Sequence, residues 1–103
     1  RAVVEIEKLR DYCLNPSHPR GRHKARVFVT VLSLTTDDAD ELRTAILTAI
    51  LAEEANPTVN DVFGQRFVVD FRMNRQGREA VVRSSWIIRA GEDFPRLTSC
   101  YVL

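Results

Sequence analysis

The stretch Phe67-Val68-Val69-Asp70-Phe71-Arg72-Met73-Asn74 decides the fold. Phe67, Val69, Phe71 and Met73 alternate with Val68, Asp70, Arg72 and Asn74, the period of a half-buried strand. Asn74-Arg75-Gln76-Gly77 reads as a turn. A second strand follows from Arg78 to Arg89. One of its faces is Ala80, Val82, Ser84, Trp86 and Ile88; the other is Val81, Arg83, Ser85, Ile87 and Arg89. Gly91-Glu92-Asp93 turns the chain into a third strand near 95–102. The predicted strands are 66–74, 79–89 and 95–102.

Upstream, the period changes to that of a helix. Leu9, Tyr12 and Cys13 share one side of a helix near 7–14, which Asn15-Pro16-Ser17-His18-Pro19 stops. Ala25, Phe28, Val29 and Leu32 form the apolar stripe of a helix near 22–32. Thr35-Thr36-Asp37-Asp38 caps a helix near 37–54, whose Ala39, Leu42, Ala45, Ile46, Ala49 and Ile50 recur at helical spacing. It ends near Ala55-Asn56-Pro57. Val3 to Ile6 reads as a short strand or an extended lead-in. The expected fold is therefore α+β: three N-terminal helices, then a three- to four-stranded antiparallel sheet, in one domain over 1–103. Phe28, Ile46, Phe67, Phe71 and Trp86 are the expected core. The opposite sheet face carries Asp70, Arg72, Arg83, Ser85 and Arg89. Alternation leaves open whether Thr98, or Ser99 with Tyr101, shares that face.

The bulk properties are those of an ordinary globular domain: 103 residues, 45% hydrophobic, 28% charged. No apolar run approaches the ~20 residues of a membrane span. The chain opens on Arg1 without a Met, as a segment of a longer protein would. The net charge of +1 hides two opposed regions. Asp37, Asp38, Asp40, Glu41, Glu53 and Glu54 make the middle acidic. His18-Pro19-Arg20-Gly21-Arg22-His23-Lys24-Ala25-Arg26 is basic and holds both histidines. Such a surface steers anionic partners. Cys13 and Cys100 are expected as buried, reduced thiols. No Cys/His or carboxylate spacing fits a metal site, and no cofactor is expected.

The basic stretch enters a helix, whose first N–H groups already favour anions. His18 either packs on its turn against a backbone group or serves as a general acid or base. Lys24 and Arg22 are either solvated helix cations or ligands of a phosphate. His23 shares their turn. Thr98 is either a plain strand residue or a hydroxyl donor to phosphate. Arg83 and Arg72 either pair with Asp70 or bind substrate.

A set of spaced motifs adds a resemblance. It comprises Leu9-Arg10-Asp11-Tyr12 with Leu14-Asn15-Pro16, His18-Pro19 with Gly21-Arg22 and Lys24-Ala25, then Phe28. It continues with Gly64-Gln65 and Phe67, Gly77-Arg78, Trp86-Ile87-Ile88, and Pro95-Arg96-Leu97-Thr98 with Tyr101. Over roughly residues 2 to 102 the chain resembles a family of small bacterial domains of unknown function. These stand alone or form the C-terminal tips of polymorphic toxins. More remotely, it is similar to the barnase, colicin E5 and RelE group of ribonucleases. The chain departs from the family pattern at Cys13, at Leu32-Ser33-Leu34, which lacks a glycine, and at its tail, which lacks a proline after Tyr101.

The resemblance implies metal-independent RNA cleavage by 2′-hydroxyl attack in the cytoplasm, with a cognate immunity or antitoxin protein as partner. In that reading His18 takes the proton. Lys24, Arg22, His23, Arg83 and Arg72 hold phosphate and its developing charge, and Thr98 positions an oxygen. The alternative is a non-catalytic interaction module of a toxin–immunity or toxin–antitoxin system. It would use the basic face to hold an acidic protein.

Overall fold

A computed structural model describes residues 1–103. Helix α1 begins as Ile6–Lys8 and continues as a π-helical stretch, Leu9–Cys13. Helix α2 is Arg22–Leu32, and α3, Ala39–Ala52, follows a 3-10 turn at Thr36–Asp38. The strands are β1 Ala55–Asp61, β2 Gly64–Arg75, β3 Arg78–Arg89 and β4 Arg96–Val102. They form one antiparallel sheet in the order β1-β2-β3-β4. The α+β expectation holds, and the sheet has four strands.

The helices cover one face. Phe67, Val69, Phe71 and Met73 from β2 meet Val82, Ser84 and Trp86 from β3 and Cys100 from β4 beneath them. Phe28, Leu32, Leu42 and Ile46 fill the layer above. All five expected core residues are buried. Trp86, 1% exposed, stacks on Phe67 with ring centroids 6.3 Å apart. Its Nε1 donates to Ser84 Oγ at 2.9 Å, and that hydroxyl donates to the Val69 carbonyl at 2.7 Å. The core's buried polar side chain is thus satisfied at both ends. Both cysteines are buried in the core. The hydrogen bond to Cys13 and burial push the Cys100 thiol up, so it stays neutral.

Three departures from the sequence reading have physical causes. First, the π turn sends the Leu14 N–H to the Leu9 carbonyl at 2.8 Å. This wider turn lets Leu9, Cys13 and Leu14 all face the core. Second, β1 lies where the sequence predicts only the end of the helix near 37–54 and a loop. Every residue of β1 is exposed, so it has no apolar alternation to detect. Pairing with β2 imposes its extended form, and Pro57 with the irregularity before Asn60 marks it as an edge. Third, Asp38 and Glu41 are not simply solvated. Arg75, at the end of β2 and only 11% exposed, pairs with Asp38 at 3.1 Å and Glu41 at 2.7 Å. Its Nη1 also donates to the Leu32 and Ser33 carbonyls, at 3.0 and 2.8 Å.

Those carbonyls belong to the end of α2, where the Leu34 N–H bonds the Phe28 carbonyl and Ser33 sits at φ 56°. With the Ser33 N–H on the Val29 carbonyl at 2.9 Å, this is an αL stop with serine in the left-handed position that favours glycine.

Two stability outcomes follow. Trp86→Ala should lower unfolding free energy by ~3–5 kcal/mol, because it empties a close-packed layer. Ser33→Gly should raise it by about 1 kcal/mol, because the strained φ is relieved while the carbonyl that Arg75 uses remains. Urea unfolding of the two variants beside wild type checks both.

Candidate functional site

With the helices on one face, the other face of the sheet is left open, and its central row is Asp70, Arg83 and Tyr101. These residues pair across β2, β3 and β4. The Arg83 guanidinium donates from Nε to Asp70 Oδ1 at 2.8 Å and from Nη2 to Oδ2 at 2.9 Å, both side chains about one third exposed. Tyr101 is the cross-strand neighbour of Arg83 on the other side, close enough to act on the same guanidinium. The hydrogen bond from Arg83 holds the Asp70 carboxyl below the usual range, against a smaller desolvation effect. The same bond, helped by Tyr101, raises Arg83. Lys24 reaches round the β4 edge from the first turn of α2, its Nζ 4.5 Å from the centre of the Tyr101 ring. A carboxylate, a guanidinium and a phenol thus stand side by side across three strands, with an ammonium against the face of the phenol ring.

The β4 parity left open by alternation is decided by a bulge. Ser85 pairs with Ser99 and Trp86 with Leu97, so Thr98 stands between them without a partner of its own. The extra residue aligns Tyr101 with Arg83 while Leu97 and Cys100 stay buried. Thr98 Oγ1 donates to the Ser85 carbonyl at 3.1 Å. Its hydrogen is spent, so toward a ligand it is an acceptor rather than the phosphate donor expected from the sequence.

His18 packs edge-on against Tyr12, ring centroids 4.7 Å apart. Its Nδ1 accepts the Arg20 and Gly21 N–H groups at 3.0 and 3.1 Å, and its carbonyl accepts the Arg22 N–H at 2.9 Å. The ring therefore caps the entry to α2, and its own hydrogen lies on Nε2, a donor. A general base here would have to surrender both capping bonds. Gly21 makes this turn possible: a Cβ on it would lie 2.5 Å from the Tyr12 carbonyl oxygen.

Arg22 and His23 lie exposed in the first turn of α2. Arg72 is drawn to Glu79 rather than Asp70. The fold thus joins Lys24 to Arg83 through Tyr101, while the hydrogen bonds of His18 stay within its own turn. Sequence reasoning gave Asp70 only the part of an ion-pair partner and left Tyr101 as one of two alternatives for the open face. Asp70 is the one carboxylate on its face of β2. The bulge that aligns Tyr101 with Arg83 leaves no sequence signal. No three His, Cys, Asp or Glu side chains converge as a metal site would need. No helix is long and apolar enough to cross a membrane.

Residues 1–103 match the family described as a domain of unknown function, DUF6883, and the chain belongs to that family. No curated protein matches it. Among solved structures, it is similar to a chain of a contact-dependent growth inhibition toxin–immunity protein complex from Klebsiella pneumoniae 342. The TM-score is 0.70 over 98% of this chain and 99% of that chain, at 11% identity, so the likeness is one of fold.

The Asp70–Arg83 pair has a pH signature. A depressed folded pKa stabilises above the unfolded value of ~3.9 and loses that contribution as pH falls through the folded value. Arg83→Met removes the pair and keeps the aliphatic stem. The stability gap between wild type and Arg83→Met should be constant above about pH 5 and close as acid protonates Asp70, below ~3.9. Chemical denaturation across that range checks it. A gap that persists in strong acid would assign Arg83 to packing alone.

Proposed function

We propose that this domain is a toxin-type, metal-independent endoribonuclease, and the Asp70–Arg83–Tyr101 row with Lys24 carries the reading. A phosphodiester seated on the row presents its non-bridging oxygens to Arg83 and Lys24. The ribose 2′-hydroxyl attacks the adjacent phosphorus and gives its proton to Asp70. The O2′–P bond forms, the P–O5′ bond breaks, and the Tyr101 phenol protonates the leaving 5′-oxygen. The products are a 2′,3′-cyclic phosphate and a 5′-hydroxyl. Asp70 is a weak base, so most of the acceleration falls to the cations that meet the developing charge. His18, in its capping tautomer, offers Nε2–H to a phosphate oxygen, and Arg22 and His23 receive flanking phosphates. Thr98 accepts from a ribose hydroxyl or base amine.

The similar solved chain comes from a complex of a growth-inhibition toxin with its immunity protein. That supports a place in a toxin–immunity system; in our reading the domain acts on cytoplasmic RNA and an immunity partner restrains it. The same complex contains both kinds of chain, and this favours one second reading. The domain would be a non-catalytic module holding its partner through the basic face.

Cleavage of a short labelled RNA in chelator separates the two. The ribonuclease should yield 2′,3′-cyclic phosphate ends without divalent ions. Arg83→Ala and Lys24→Ala should each lower turnover about 10²–10³-fold, the scale for removing a donor to developing charge. His18→Ala should also lose ~0.5–2 kcal/mol of stability, as a lost helix cap does. A folded wild type that leaves every RNA intact would sink the enzyme reading in favour of the binding module.

A further inference from the structure

The open face carries a second cleft, at the end of the sheet where the β1–β2 hairpin tip meets the end of β3. It is about 490 Å³ in volume and is lined by Val62, Phe63, Arg66, Ile87, Arg89 and Thr98, with Ala90 at its rim. Three features set it apart from ordinary surface.

The first is an exposed aromatic on an anchored backbone. Phe63 is 67% exposed, yet its N–H donates to Asp61 Oδ1 at 2.9 Å and its carbonyl accepts from the Ala90 N–H at 3.0 Å. Gly64 lets the tip descend so closely: at φ 141° a Cβ there would lie 2.1 Å from the Ile88 carbonyl oxygen. The ring adds nothing to the core, and the anchored tip presents it at the surface.

The second is unspent charge. Neither Arg66 nor Arg89 is in an ion pair, whereas Arg72 and Arg83 on the same open face both are. Glu92 is near enough to feel Arg89, but both its oxygens are engaged by Arg96. The third is the floor. Ile87 lies on the open face and is nonetheless buried. Thr98 adds a hydroxyl oxygen whose lone pairs remain available beside it.

An exposed aromatic face on an anchored tip, two unpaired guanidinium groups, an apolar floor and a hydroxyl acceptor are what one nucleotide of a single strand requires. We infer that this cleft is a flanking-nucleotide subsite: a base stacks on Phe63, and Arg66 and Arg89 hold its phosphates. The inference rests on the RNA reading above and extends it. Ile87 is four residues from Arg83 along β3, roughly 13 Å at ~3.3 Å per residue. One strand of RNA lying along β3 would therefore occupy the central row and this cleft together.

The test uses the whole domain and two probes, a dinucleotide and an octanucleotide. Binding is measured by anisotropy on 2′-O-methyl forms that cannot be cleaved, and turnover on the unmodified forms. Phe63→Ala should weaken octanucleotide binding roughly 5- to 150-fold, the scale of a lost stacked base, and leave dinucleotide cleavage unchanged. Phe63→Leu should lose as much, and Phe63→Trp should retain affinity, because the π face is what matters. Arg66→Gln with Arg89→Gln should lower the salt slope of octanucleotide binding by about 1.4 for two lost phosphates. Thermal melts verify folding, and the arginine pair still tests the cleft if a Phe63 variant misfolds. If wild type cleaves RNA and no variant changes octanucleotide affinity, the subsite is overturned and the ribonuclease stands. If wild type neither binds nor cleaves RNA, both fall. Loss of immunity-protein binding by Phe63→Ala in that case would assign the tip to a protein contact instead.

Discussion

The structure depends on the register of one hairpin. Gln76 and Gly77, at φ 52° and 75°, form a two-residue turn with both central residues left-handed, the type whose twist matches paired strands. That turn fixes twelve consecutive pairs, from Arg75 opposite Arg78 to Gly64 opposite Arg89. Because side chains alternate, the same register puts Phe71 beside Val82 beneath the helices and Asp70 beside Arg83 in the open. A slip of one residue would carry the charged row into the core and the aromatics into water. Core and site are two faces of a single constraint.

The same hairpin fixes the helices. Arg75 bonds the last carbonyls of α2 and the acidic start of α3, and Arg78 Nη1 donates to the Thr30 carbonyl at 2.9 Å. The end of α2 is therefore anchored at the turn of the hairpin. Its start is held by the His18 ring and the close approach of Gly21 to Tyr12. A helix fixed at both ends has no freedom to rotate, so the place from which Lys24 extends is determined as well. Its meeting with Tyr101 results from contacts remote from the open face.

How much of this the sequence disclosed follows from where apolar periodicity exists. Residues 67–73 and 80–88 alternate cleanly, and residues 25–32 and 39–50 keep a helical stripe, so element types and the core were readable there. Val29 is the exception, exposed on the flank of its stripe. β1 was hidden because pairing, not burial, makes it a strand. The bulge at Thr98 was hidden because it alters parity without altering composition. The charged residues were the least readable. Spacing shows Asp38 and Glu41 only as part of an acidic middle, leaves Arg72 and Arg83 between pairing with Asp70 and binding substrate, and leaves His18 between its turn and catalysis. Each choice depends on which long side chain reaches which partner across the folded chain, and one-dimensional spacing does not contain that.

The division of charge on the open face has a mechanistic consequence. Arg83 is bound by both oxygens of Asp70, so its planar fork is aimed before any substrate arrives, but the pair contributes little net charge. Lys24 sits on a ring face rather than on a carboxylate and keeps its full charge. Arg66 and Arg89, in no ion pair, keep theirs toward the end of the sheet. An anionic strand would thus be attracted mainly by the periphery and oriented mainly by the centre. Peripheral attraction is long-ranged and screened by salt. Orientation by a neutralised, preorganised donor is short-ranged and costs no rearrangement as charge develops. Giving up attraction at the centre to fix the direction of its donors suits a surface that must hold one bond in place. A surface built only for electrostatic capture would leave its central arginine unpaired.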